Sequence, residues 1–178
     1  LMYVAMQHTY NCAEHGSPDI HGVGNYTLPI SGSNGDKTEA VLYFFDSGRE
    51  SEHPAVPGYD WIRRDQIRWY ELASMAYSVK HKGEPLPALA FFHIPLPEYQ
   101  EVWERKTCYG SKYEKVCCPE VNTGLFAAML ERGDVLGTFA GHDHINDYWG
   151  ELHGIRLCYG RATGYGTYGR EGMLRGAR

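Results

Sequence analysis

Three short apolar runs place the strongest constraint on how this chain can fold. They span residues 40–46, 86–92 and 135–140, and each is nearly continuous in apolar side chains. Strands of that kind are typical of a sheet covered on both faces, and a chain that alternates them with helices forms a layered α/β domain. Helical periodicity occupies residues 61–82, and a shorter helix is predicted near 125–131. The sequence therefore predicts an α/β fold.

Shorter strand patterns flank these runs. A strand at 26–30 is predicted to form a hairpin with the first apolar run, through a turn that contains Asn34-Gly35. That dipeptide is favoured where a tight turn needs positive φ. Residues 147–152 and 155–159 are predicted to form an antiparallel pair.

Helix ends and loops are predicted from local residue chemistry. Asp60 is a good N-cap for the long helix, because its side chain can accept a hydrogen bond from the first turn. A short helix is expected over 98–106. Residues 107–120 are predicted to be irregular, and the glycine-rich tail that starts at Gly160 is expected to lie on the surface.

Composition argues against two classes of partner. The chain has 178 residues, of which 43% are hydrophobic, and this suits a single domain. Its formal net charge is −5 and it contains no Lys/Arg cluster, so no nucleic-acid partner is expected. No window approaches the roughly 18 consecutive apolar residues of a membrane span. The chain begins at Leu1 rather than at Met, so we expect a preceding segment, and the compartment stays open.

The cysteines leave two interpretations open. There are five, an odd number, and none of them forms a C-x-x-C motif. In an oxidising compartment Cys108 could pair with Cys117 or Cys118 and close a loop of about ten residues. The alternative is that the cysteines are buried free thiols.

Histidines follow two of the apolar runs. His93 comes directly after the second run, and His142 and His144 follow the third, one residue apart. Ligands bind at the carboxyl ends of strands in open α/β sheets, and neutral imidazole suits zinc and iron. Alternate histidines in an extended segment point to opposite sides, so these two serve two ions, or one ion and something else, more naturally than one shared ion. Any one of these histidines alone could instead be an ordinary packed side chain.

Polar residues near the histidines complete the candidate site. Asp143, Asn146 and Asp147 are suitable outer partners, because a ligating histidine usually donates its other N–H to an oxygen. A second metal-like spacing, Asp19-Ile20-His21, lies in a glycine-rich loop with no preceding strand to fix it, and is the weaker candidate.

The histidine segments resemble a known family. The following two resemble the last two metal motifs of calcineurin-like metallophosphoesterases: Phe92-His93-Ile94-Pro95-Leu96-Pro97-Glu98 and Gly141-His142-Asp143-His144. Other segments resemble its Dcr2-type, purple-acid-phosphatase-29-like branch and extend the resemblance over nearly all of the chain: Gly24-Asn25-Tyr26, residues 42–48, Asp60-Trp61-Ile62, residues 122–126 and Asn146-Asp147-Tyr148.

The resemblance implies an αββα sandwich that carries a phosphatase site with two ions of iron, zinc or manganese. If the ligand roles of the family motifs apply here, His93 and His142 would bind one ion and His144 would bind the other. Two ions about 3.5–4 Å apart clamp a phosphate and generate the attacking hydroxide. The substrate is then a phosphorylated compound, whose class the sequence does not identify.

The chain also departs from the family pattern. The family begins with Asp-x-His, Gly-Asp and Gly-Asn-His motifs, and none occurs here in that order. Asp19-Ile20-His21 is no replacement, because it directly precedes a segment that lies downstream of all three. We therefore expect residues 1–178 to be the C-terminal portion of one domain, with weak metal binding alone and one sheet face left uncovered. The missing half, a partner fragment or a swapped chain would complete it.

Two alternatives stay open. One is a catalytically inactive remnant that acts as a binding or scaffold module. The other is a single-zinc hydrolase that uses His93, His142 and His144 plus a water molecule. The alternate spacing of the last two histidines argues against this second alternative.

Overall fold

A mixed seven-stranded sheet organises the computed structural model, which describes residues 2–35 and 37–176. The strands are β1 (Tyr26–Ser31), β2 (Thr38–Phe44), β3 (Ala88–Phe91), β4 (Cys108–Lys112), β5 (Val135–Ala140), β6 (Asn146–Leu152) and β7 (Ile155–Tyr159). The helices are α1 (Met2–Ala5), α2 (Arg64–Lys80), α3 (Glu98–Arg105) and α4 (Leu125–Arg132).

The spatial order of the strands is β1-β2-β3-β5-β7-β6-β4. The central strands β2, β3, β5 and β7 run parallel, and antiparallel strands close both edges. Because β3 and β5 are parallel neighbours, the segments that follow them leave the sheet at the same edge. The predicted α/β class is confirmed, and so is the predicted hairpin of β1 with β2.

The three longer helices pack on one face of the sheet. On that face Tyr43 of β2 contacts Tyr70 of α2, with ring centroids 5.0 Å apart, and both side chains are fully buried. The hydroxyls of both tyrosines donate hydrogen bonds to the buried carboxylate of Asp134. Farther along the sheet, Tyr99 of α3 hydrogen-bonds to Thr138 of β5 at 2.8 Å. This face holds the hydrophobic core.

The opposite face carries a row of side chains in register across all seven strands. Pairing between neighbouring strands aligns Tyr26, Phe44, Phe91, Phe139, Cys158, Trp149 and Tyr109. The first four rings stack with centroid separations of 4.6, 5.0 and 5.0 Å. These side chains are partly or largely exposed. The burial pattern therefore agrees with the expectation that one face of the sheet is uncovered.

Several local predictions need correction. Strand β4 lies inside the stretch predicted to be irregular, where it forms the sheet edge by pairing with β6. Helix α2 begins at Arg64, so Asp60 is not its N-cap. Instead the side chain of Gln66 accepts a hydrogen bond of 2.7 Å from the backbone of Arg63, while Asp60 pairs with the guanidinium of Arg63. All five cysteines are free thiols, so no disulfide forms, but they are not buried as the second interpretation held: Cys12 is exposed and the other four are only partly buried.

The described residues form one sheet, so the second sheet of the αββα sandwich stays a prediction, as does the single-domain assignment of residues 1–178. None of the described helices is long and apolar enough to cross a membrane.

Candidate metal centre

The sheet brings two of the predicted ligands together. His93 follows β3 and His142 follows β5, and the backbone N–H of Gly141 donates to the carbonyl of His93 at 3.0 Å. This bond continues the parallel pairing of the two strands by one step past their ends. The sheet itself therefore fixes the distance between the two histidines.

His93 and His142 meet through their ring nitrogens. His93 Nε2 and His142 Nδ1 are 3.3 Å apart, and the rings are nearly perpendicular. A tetrahedral zinc ion with bonds of about 2.0–2.1 Å holds any two of its nitrogen ligands about 3.3–3.4 Å apart. The separation of the two nitrogens thus matches that of two ligands of one ion, and it also suits a hydrogen bond between the rings.

The electrostatics of His93 favour its neutral form. Partial burial lowers the pKa of His93, and the nearby rings of His142 and His144 act in the same direction. Asp143 opposes the shift more weakly. A lowered pKa keeps the imidazole deprotonated to lower pH, and deprotonated nitrogen is the form that binds a metal.

The loop that carries the other two histidines is not extended. His142 has a φ of 78°, in the left-handed region, and the chain turns before β6 begins at Asn146. The assumption of an extended segment was wrong, although the two side chains still have different environments. His142 faces His93 and the ring of Tyr59, which it meets edge-on at 4.5 Å.

His144 contacts the glycine-rich C-terminal tail instead. Its Nδ1 lies 2.7 Å from Thr167 Oγ1, and its ring stacks on Tyr168 with centroids 4.1 Å apart. The expectation that the tail lies on the surface is therefore incomplete, because part of it forms a wall of the candidate site.

The three predicted outer partners brace the loop, and among the described residues no hydrogen bond joins any of them to a ring nitrogen of His93, His142 or His144. Asp143, which is 3% exposed, accepts hydrogen bonds from the Tyr159 hydroxyl and from the backbone of Cys117 at 2.9 Å. The side-chain oxygen of Asn146 accepts backbone N–H groups from the loop after β4, and Asp147 pairs with Arg161. These contacts anchor both ends of the histidine loop.

The described side chains supply only some of the ligands that a metal site needs. Within residues 2–35 and 37–176 no group of three or more His, Cys, Asp or Glu side chains is placed to hold a metal ion. The pair formed by His93 and His142 fits one ion, and His144 presents a third imidazole nearby. No carboxylate among the described residues bridges these imidazoles, and the assignment of the three as ligands stays a prediction.

Sequence reasoning missed Tyr59, Glu114, Thr167 and Tyr168. Tyr59 follows Pro57-Gly58 in a loop, and the other three lie in stretches predicted to be irregular or on the surface. Tyr59, Thr167 and Tyr168 contact a histidine, and Glu114 contacts Ile145 and Tyr168, through chain reversals that no local periodicity predicts. Because tyrosines are numerous in this chain, a tyrosine at any one position did not indicate a role at the site.

Fold and site together define an α/β protein with a pair of contacting histidines at the carboxyl edge of its parallel strands. No protein-family profile matches the chain. Probable inactive purple acid phosphatase 29 of Arabidopsis thaliana is 40% identical over 169 residues, which cover 89% of this chain and 43% of that protein. Phosphatase DCR2 of Saccharomyces cerevisiae is 38% identical over 153 residues, which cover 78% of this chain and 25% of the yeast protein.

The chain is thus homologous to the purple-acid-phosphatase-29-like and Dcr2 proteins, and the resemblance drawn from its motifs is confirmed. It spans less than half the length of these curated relatives. Among solved structures, a dimetal phosphatase from Danio rerio matches with a TM-score of 0.47 and 15% identity, over 77% of this chain and 49% of that one.

Proposed function

We propose that this chain is the C-terminal part of a metal-dependent phosphoric ester hydrolase. The observation that carries the proposal is the 3.3 Å contact between His93 Nε2 and His142 Nδ1 at the ends of two parallel strands. Homology to proteins named as phosphatases supports the reaction class. In this proposal His93 and His142 bind one ion and His144 binds a second, each being iron, zinc or manganese.

The protein's own contribution is to hold neutral nitrogen donors in fixed positions. A bound pair of metal ions supplies charge to clamp a phosphoryl group and a hydroxide for in-line attack. The lowered pKa of His93 keeps its lone pair available. The edge-on ring of Tyr59 packs against His142 and limits its rotation.

An anionic ligand must complete the site. Two cations a few ångströms apart repel each other strongly, and neutral imidazoles do not offset that repulsion. In this proposal the carboxylate comes from a further segment of the natural polypeptide, or from a partner or swapped chain. The uncovered sheet face, with its row of aromatic side chains, would be buried by the same segment.

The test is hydrolysis of an aryl phosphate by the intact natural polypeptide that contains this chain, supplied with Mn²⁺ or Zn²⁺. His93→Ala and His142→Ala are each expected to lower kcat/KM by at least about 100-fold, because each removes one ligand. His8→Ala is the matched control, since His8 is exposed and its side chain makes no hydrogen bond to a described residue. Full activity in both site variants would refute the proposal.

A second candidate function is a non-catalytic binding module. It is favoured by the names of the plant relatives, which are called probable inactive purple acid phosphatases, and by the lack of a three-ligand cluster among the described residues. In that case the intact polypeptide would carry well under one metal ion per chain and would not hydrolyse the aryl phosphate.

A further inference from the structure

The C-terminal tail takes up the hydrogen-bonding groups of His144. The backbone N–H of His144 donates to the Tyr168 hydroxyl at 3.3 Å, and its carbonyl accepts from Ala162 at 3.2 Å. Its ring Nδ1 lies 2.7 Å from Thr167 Oγ1. Its ring Nε2 makes no hydrogen bond to any residue that the structure describes. The tail therefore leaves one nitrogen of this histidine open.

Tyr168 is tied to the histidine loop from the other side. Its ring stacks on that of His144 with an interplanar angle of 30°. Its hydroxyl donates to Glu114 Oε2 at 2.9 Å, and the other oxygen of Glu114 accepts the backbone N–H of Ile145 at 2.8 Å. One carboxylate thus links the tail to the residue that follows His144.

Arg175 holds the same part of the tail in shape. Its guanidinium donates to the backbone carbonyls of Thr167 at 2.7 Å and of Tyr168 at 2.9 Å. Gly169 makes room for it, since a Cβ at that position would lie 2.5 Å from Arg175 Nη2. The two residues that touch the His144 ring are therefore fixed through their own backbone.

The contact with Thr167 bears on which nitrogen of His144 can serve as a ligand. A neutral imidazole has one protonated and one unprotonated nitrogen, and the hydrogen bond made by one nitrogen sets the state of the other. Metal-binding histidines usually donate the N–H that faces away from the metal to a protein oxygen. Among the described residues, Thr167 is the one that hydrogen-bonds to a ring nitrogen of His144.

We propose that Thr167 and Tyr168 are positioning residues for His144. Thr167 accepts the Nδ1–H, which leaves the Nε2 lone pair free, and stacking on Tyr168 fixes the plane in which that lone pair points. The role of the lone pair as a metal donor rests on the proposed function, whereas control of the tautomer does not. Neither residue touches the reacting atoms in this proposal.

The test combines a tautomer measurement with metal binding in the intact polypeptide. Long-range ¹H–¹⁵N correlation spectra of the metal-free protein at pH 8 should show His144 protonated at Nδ1. Thr167→Val should shift His144 towards a mixture of tautomers and weaken Mn²⁺ binding by about 10–100-fold. Thr167→Ser should restore both, and Thr163→Val, at an exposed position on the same tail, should change neither.

Tyr168 is tested with a graded pair of variants. Tyr168→Phe keeps the stacked ring and loses the hydroxyl, so it should weaken Mn²⁺ binding less than Tyr168→Leu does. Protonation of His144 at Nε2 in the wild type, or an unchanged tautomer in Thr167→Val, would overturn the proposal. A tautomer that depends on Thr167, in a protein that binds no Mn²⁺, would support the positioning role and refute the proposed metal function.

Discussion

Replacing Tyr159 by phenylalanine should loosen the histidine loop without disturbing the core. Tyr159 is 2% exposed, and its hydroxyl donates to Asp143, whose carboxylate lies between His142 and His144 in the chain. Phenylalanine has the same shape, so no cavity forms. The variant loses one hydrogen bond to a buried charged group, which contributes about 1.5–3 kcal/mol. The backbone of Cys117 remains as a donor, which favours the lower half of that range.

Urea denaturation of the variant measures this loss. With an m-value of about 2 kcal/mol/M, the lower half of that range lowers the midpoint by roughly 0.7–1.1 M. Tyr109→Phe is the matched control, since that side chain is 55% exposed and its hydroxyl makes no hydrogen bond to the described residues. A double-mutant cycle with Asp143→Asn should show a coupling of about 1 kcal/mol or more. Equal midpoints for Tyr159→Phe and Tyr109→Phe, or no coupling in the cycle, would refute the reasoning.

Three further perturbations test the site and the sheet. The pKa of His93 is lowered in the folded state, so the unfolded chain binds more protons at this residue. The free energy of unfolding should therefore fall as the pH drops below about 6.5. An NMR titration midpoint for His93 at or above the ordinary value would contradict this. The pKa of Cys117 is raised to about 11, mainly by burial and secondly by a hydrogen bond to the carboxylate of Asp143. Iodoacetamide should therefore alkylate Cys117 at pH 8 far more slowly than it alkylates a free cysteine. Peptide mapping measures the rate. Gly110→Ala should destabilise the protein by more than about 2 kcal/mol in urea denaturation, because φ is 125° and a Cβ would lie 2.1 Å from a backbone oxygen. Gly154→Ala, where φ is 87° and the space is open, should destabilise it by only about 1 kcal/mol. Equal losses in the two variants would argue against the clash at Gly110.

The strands that precede His93 and His142 were predictable because their sequence signal is local. The run at 135–140 coincides with β5, and 86–92 contains β3. Both runs are apolar enough to be buried, and short parallel strands that follow helices end at a common edge. The proximity of His93 to His142 follows from that topology.

The other side of the site depends on contacts that are distant in sequence. Strand β4 has the sequence Cys-Tyr-Gly-Ser-Lys, which lacks apolar alternation, and it is held by pairing with β6. The left-handed residue of the turn is His142 itself rather than the neighbouring Gly141, so residue type does not mark it. Thr167 reaches His144 across 23 residues of glycine-rich chain, where propensity favours no single conformation.

Anomalous diffraction from crystals of the intact polypeptide soaked in Mn²⁺ tests the central claim most directly. The account predicts one peak about 2.0–2.3 Å from both His93 Nε2 and His142 Nδ1, and a second peak at a similar distance from His144 Nε2. A map with no peak at these nitrogens, or with one ion held by all three histidines, would contradict it.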